Sequence, residues 1–161
     1  MDLKNFDTEI FSQFDRKWAL LTAGTMENYN TMTISWGGMG TLWGKPVITV
    51  YVRPSRYTYG YINDNDYFTV SFYPESYRKD LGVLGSLSGR DGDKVARISL
   101  IPAQTPHNSV TFREAERTFV CRKLYAQDLD PAVIPEEIQS EFYGDNSFHR
   151  IYIGDVVELL E

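Results

Sequence analysis

The segment Val47-Ile48-Thr49-Val50-Tyr51-Val52 constrains the fold more than any other stretch of the chain. It is almost wholly β-branched or aromatic, is bounded by Pro46 and Pro54, and is too short for an ordinary helix. Such side chains lose rotamer freedom against a helical turn but sit well on a pleated surface. Apolar residues at nearly every position predict a strand covered on both faces. Tyr67-Phe68-Thr69-Val70-Ser71-Phe72 instead alternates, so Phe68, Val70 and Phe72 share one face and Tyr67, Thr69 and Ser71 the other.

Trp18 to Thr25, Thr31 to Trp36, Thr118 to Tyr125 and Arg150 to Val157 read as four further strands. Helical signals are fewer. Ser55 is an N-cap candidate for a helix from Arg56 to Asn63. Ser76 is another, for Tyr77 to Leu87, in which Leu81, Leu84 and Gly85 share a face. Pro135-Glu136-Glu137 opens a short helix to Phe142. These elements predict a mainly β protein with short helices, a closed or partly closed β-barrel, with a β-sandwich as the alternative. No repeat or linker interrupts residues 1–161, so a single domain is expected.

Composition narrows the function classes. A chain of 161 residues with 42% hydrophobic and 24% charged residues is neither a disordered tail nor a coiled coil. The net charge of −6 argues against nucleic acid as a partner. No apolar run approaches the roughly 18 residues that a membrane helix needs, so no membrane association is expected. Met1-Asp2-Leu3-Lys4-Asn5 lacks the basic and apolar regions of a secretory leader, and the lone Cys121 fits a reducing cytoplasm.

Several motifs fail on inspection. Gly38-Met39-Gly40, followed by Gly44, has the wrong spacing for a dinucleotide loop, and Lys45-Pro46 leads into a strand, not a helix. His107 and His149 lie far apart and one cysteine offers no pair, so no metal site is expected. Asp64-Asn65-Asp66 and Asp91-Gly92-Asp93 lack the glutamate of a calcium loop and read as polar turns.

Two segments carry chemistry. In Arg53-Pro54-Ser55-Arg56-Tyr57-Thr58, two guanidiniums and several hydroxyls surround an expected helix start, a combination suited to a phosphate monoester. The same residues also fit a capped helix with two solvated arginines. In Asn30-Thr31-Met32-Thr33-Ile34-Ser35-Trp36, small hydroxyl residues alternate with apolar ones, which suits either a planar heteroaromatic ligand or an ordinary half-buried strand.

These two segments, with Trp43-Gly44-Lys45-Pro46, Ser88-Gly89-Arg90-Asp91-Gly92-Asp93-Lys94, Cys121-Arg122-Lys123-Leu124-Tyr125 and His149 to Val156, resemble the flavin reductase-like family. This family of FMN-binding split barrels includes flavoredoxins and NAD(P)H:flavin oxidoreductases. The likeness runs from about Trp18 to Val157; one departure is Lys45, where many relatives carry a second proline. The resemblance implies a split β-barrel that forms a homodimer with FMN near the subunit interface. Asn30, Thr31, Met32, Thr33, Ile34, Ser35 and Trp36 would then contact the ring and ribityl chain. Arg53, Ser55, Arg56, Tyr57, Thr58 and Lys94 would hold the phosphate, and His149 would lie near the nicotinamide or flavin. The implied function passes electrons from NAD(P)H through FMN to a flavin or other acceptor, with no catalytic acid or base required. The alternative is a flavoredoxin-like carrier, docking on protein redox partners without its own NAD(P)H activity.

Overall fold

The computed structural model describes Leu3, Phe6 and residues 8–161, so the expectation about a leader falls almost wholly outside the described residues. The elements run α1 (Ile10–Asp15), β1 (Ala19–Thr25), β2 (Asn28–Ile34), β3 (Gly37–Leu42), β4 (Lys45–Val52), α2 (Thr58–Asp64) and β5 (Tyr67–Phe72). They continue as α3 (Arg78–Ser86), β6 (Pro102–Gln104), β7 (Val110–Phe112), β8 (Arg117–Asp128), α4 (Glu136–Phe142) and β9 (Arg150–Leu160). Seven strands form one antiparallel sheet in the order β2-β1-β5-β8-β9-β4-β3, and β6 pairs with β7 in a separate hairpin.

The protein is therefore mainly β with short helices, as the strand patterns predict. The sheet is open: its edge strands β2 and β3 are not hydrogen bonded to each other, although only Ser35 and Trp36 separate them in sequence. Among the described residues the strands do not close into a barrel.

Both faces of the sheet are buried near its middle. Leu21, Met32, Ile34, Val50, Phe68, Val70, Phe119 and Tyr152 belong to one core cluster. On the opposite face Leu20, Tyr73, Leu81, Leu84, Leu100 and Phe112 form a second, beneath α3 and β7. The hydroxyl face of β5 is covered as well. Thr69 donates to Val110 O at 2.6 Å, and Ser71 lies 2.8 Å from Thr111 Oγ1. Hydrogen bonds to the small hairpin thus satisfy polar groups that burial would otherwise penalise.

Several local expectations change. The glycine run Gly37-Gly38-Met39-Gly40, rejected as a dinucleotide loop, lies in strand β3, which pairs with β4 across a tight turn in which Trp43 and Gly44 have φ of 53° and 71°. Two positive φ values are the mark of a type I′ hairpin turn, which matches strand twist. Ser55 is not a helix cap: α2 begins at Thr58, with Tyr57 before it and no side-chain cap. Ser76 lies in a single 3₁₀ turn ahead of α3 and caps nothing. Among the described residues no helix is long and apolar enough to cross a membrane.

Candidate functional site

Pro54 ends β4, and a turn closed by Arg56 N donating to Arg53 O at 3.0 Å directs Ser55, Arg56 and Tyr57 toward the loop after α3. That loop is tied back. Arg90 Nη1 donates to Ser55 O at 2.7 Å, with its guanidinium 5.4 Å from the centre of the Tyr57 ring. Lys94, 5% exposed, donates to Leu84 O at 3.0 Å and Leu87 O at 3.2 Å, carbonyls at or near the end of α3. Gly89 permits the close approach, because a Cβ there would lie 2.4 Å from Asn30 Oδ1 and 2.6 Å from Tyr57 Cδ1.

The outcome is a cleft of about 200 Å³ in which Arg56, Arg90 and Lys94 converge with Asn30, Ser55, Tyr57, Thr58 and Ser88, and among the described residues no carboxylate lines it. Among the described residues none of the three cations is paired with an acid. Burial, and then the Arg56 guanidinium, lower the Lys94 pKa to about 8. Burial also lowers that of Arg56. An anion in the cleft would oppose both shifts, since an opposite charge favours the charged form. In a chain of net charge −6, these three cations concentrate positive charge around one cavity.

A second cleft, about 180 Å³, adjoins it: Arg56 lines both. Its walls are Met32, Thr33, Ile34, Ser35 and Trp36 from β2 and its exit, Tyr51 and Arg53 from β4, and His149. β2 is a sheet edge, so among the described residues backbone groups on its outer side have no ladder partner. Trp36 is 44% exposed and meets Phe142 edge-on at 5.3 Å. His149 is buried and shares a 2.6 Å hydrogen bond with Tyr143 Oη through Nδ1. Burial, and then Arg53, lower its pKa to about 4, so the imidazole is neutral at pH 7.

Three of the candidate residues stand differently from their sequence reading. Arg53 donates to Ser147 O at 3.0 Å and Phe142 O at 2.6 Å and stacks 5.0 Å over Tyr143, so it ties α4 to β4 and is absent from the cation cleft. Thr31 is fully buried on the α3 side, 2.8 Å from Thr22 Oγ1, and lines neither cleft. Thr33 points its hydroxyl at Leu81 O, so the alternating hydroxyls of β2 serve packing. Arg90, Ser88 and Tyr51 join the site without having been singled out. Arg90 and Ser88 belong to the segment Ser88–Lys94 that carries the family resemblance, and Tyr51 to the apolar run Val47–Val52. Among the described residues no cluster suits a metal ion.

A wide apolar groove of about 1190 Å³ runs between α1 and β3 and shares Ser35, Trp36 and Tyr51 with the second cleft. Phe11 stands on its rim, 92% exposed.

Residues 11–161 match the family model described as flavin reductase like domain. No curated protein matches the chain significantly. Among solved structures, an FMN-binding protein from Thermus thermophilus with bound p-hydroxybenzaldehyde is 20% identical, with a TM-score of 0.71, covering 100% of this chain and 80% of its own. Flavoredoxin from Methanosarcina acetivorans is 18% identical with a TM-score of 0.69, covering 100% and 76%. Nitrilotriacetate monooxygenase component B from Mycobacterium thermoresistibile is 17% identical with a TM-score of 0.70, covering 93% and 71%.

Proposed function

The chain belongs to the flavin reductase-like family, and from that premise we propose that it binds FMN across the two joined clefts and passes electrons from NAD(P)H to a flavin or other acceptor. The observation that carries this reading is the carboxylate-free cation cleft, joined through Arg56 to the open edge of β2. A phosphate dianion fits the first, where Arg56, Arg90 and Lys94 supply charge-assisted donors. A planar ring fits the second, where an edge strand supplies amide donors and Trp36 an aromatic wall. Bound there, FMN supplies a ring that accepts hydride from a reduced nicotinamide and passes electrons onward.

The protein's part is to bind, orient and exclude. Neutral His149 lines the ring cleft without adding charge, and Arg53 fixes it indirectly by holding the Phe142 and Ser147 carbonyls and stacking on Tyr143. We further propose that a second copy of the chain covers the α1–β3 groove, because exposed Phe11 and Trp36 flank an apolar hollow of this size. Sedimentation at micromolar concentration should give twice the chain mass; a single-chain mass refutes the dimer.

An anaerobic titration of the FMN-loaded protein with NADH and NADPH tests the main proposal. Loss of the flavin's visible absorbance within seconds is the expected result and names the donor. A bound flavin that stays oxidised with both donors but bleaches with dithionite would replace the reductase by an electron carrier. The net charge of −6 would suit such a carrier to a basic redox partner.

A further inference from the structure

The imidazole of His149 is held between two aromatic rings. Trp36 lies 5.5 Å from it with the ring planes at 60°, and the Tyr143 ring stands nearly perpendicular to it, also at 5.5 Å. Leu129 N donates to His149 O at 3.0 Å and fixes the backbone. Tyr143, itself buried, is steadied from behind: Arg53 lies 5.0 Å over its ring, and its backbone N–H donates to Gln139 O in α4 at 2.9 Å. Among the described residues the imidazole makes one hydrogen bond, the 2.6 Å contact of Nδ1 with Tyr143 Oη. Nε2 has no partner among them and keeps access to solvent, so it opens on the ring cleft that His149 lines.

A neutral imidazole carries one donor and one acceptor, and the bond made by one nitrogen sets the role of the other. Burial, and then the positive charge of Arg53, keep His149 neutral at pH 7. A phenol O–H is a stronger acid than a neutral imidazole N–H, so the Tyr143 hydroxyl donates and Nδ1 accepts. The ring proton then sits on Nε2. We propose that Tyr143 is a positioning residue, which holds His149 as an uncharged Nε2–H donor to a carbonyl oxygen of the planar ring in the cleft. The proposal rests on the flavin reading above, and the isoalloxazine and the nicotinamide both carry such a carbonyl. An imidazolium would also donate, but it would set a second positive charge beside Arg53. The bond to Tyr143 supplies the donor without the charge.

Nitrogen-15 NMR of the unaltered chain at pH 7 tests the assignment directly. The chain has two histidines, and His107→Gln assigns their signals. His149 should show a protonated Nε2 and a bare, hydrogen-bonded Nδ1; a protonated Nδ1 overturns the proposal. Binding then tests the donor. His149→Phe should weaken riboflavin about fivefold where the flavin ring takes the donor, the size expected for one neutral hydrogen bond. Where the nicotinamide takes it, riboflavin affinity should stay the same and the KM for NADH should rise by a similar factor. No change in either quantity overturns the proposal. His149→Gln, whose side-chain amide reaches the place of Nε2, should recover most of the loss. Tyr143→Phe keeps the ring under Arg53 and removes only the hydroxyl. It should reproduce part of the loss in the unaltered chain and add nothing in His149→Phe. Equal losses in both backgrounds would make Tyr143 a packing residue and end its positioning role. Failure of the flavin reading looks different: neither flavin nor NADH binds the unaltered chain, and the protonated nitrogen of His149 alone decides the assignment of Tyr143.

Discussion

Replacing Arg56 and Arg90 together by alanine should weaken FMN binding by about 2–4 kcal/mol, roughly thirty- to seven-hundred-fold, with little change for riboflavin. Each guanidinium would make a charge-assisted contact to a phosphate oxygen. The exposure of Arg90 to solvent screening places the sum at the lower part of what two such contacts can reach. Riboflavin carries the same ring without the phosphate, so it reports on the second cleft alone. Equal losses for both ligands in a fluorescence titration would mean that the arginines support the loops instead of the ligand. Arg90 Nη1 does hold Ser55 O, so the riboflavin control decides between the two roles. Arg53→Ala should behave differently. It frees the Phe142 and Ser147 carbonyls and loosens α4, so its effect should fall on ring binding, seen with riboflavin and FMN alike.

Phe68→Ala should cost about 3–5 kcal/mol of stability, lowering the thermal midpoint by roughly 10 °C. Phe68 is fully buried in the middle of the sheet, and its ring occupies the space beside Gly154. A Cβ at position 154 would stand 2.6 Å from Phe68 Cζ and 2.7 Å from Cys121 Cβ. Gly154→Ala alone should therefore overpack the same spot, at about 1–3 kcal/mol. The pair should be coupled: Phe68→Leu with Gly154→Ala should lose less than Phe68→Leu alone and Gly154→Ala alone lose in sum, by about 0.5–3 kcal/mol. Urea midpoints with an unchanged slope measure all four proteins. Strict additivity would show that the ring and the glycine do not share the cavity.

The fold was legible where burial and strand period agree. Val47–Val52 and Tyr67–Phe72 fall inside β4 and as β5, because apolar side chains on a pleat leave one stable arrangement. Gly37–Leu42 was illegible for the opposite reason. Its four small or flexible residues carry no period, and its strand exists only because β4 supplies a ladder. Arg53 and Arg56 show the limit at the site. They stand three residues apart and look equivalent in sequence, yet the turn between them sends Arg56 to the cation cleft and Arg53 to the carbonyls of a segment nearly ninety positions later. The hydroxyls of β2 mislead similarly. Alternation reveals that Thr31 and Thr33 share a face, and only the position of α3 decides that this face is the covered one.

The strand order carries a consequence for synthesis on the ribosome. β9, residues 150–160, is the bridge between the β2-β1-β5-β8 half of the sheet and the β4-β3 hairpin. Until it has left the exit tunnel, β4 and β8 each present an unpaired edge, and β4 has waited through almost a hundred residues of elongation for its second neighbour. At ~5–20 residues per second that interval lasts roughly 5–20 seconds, long enough for stray edge pairing. A nascent chain stalled before residue 150 should accordingly recruit chaperones or aggregate, and release of the last strand should end that exposure by closing both edges at once.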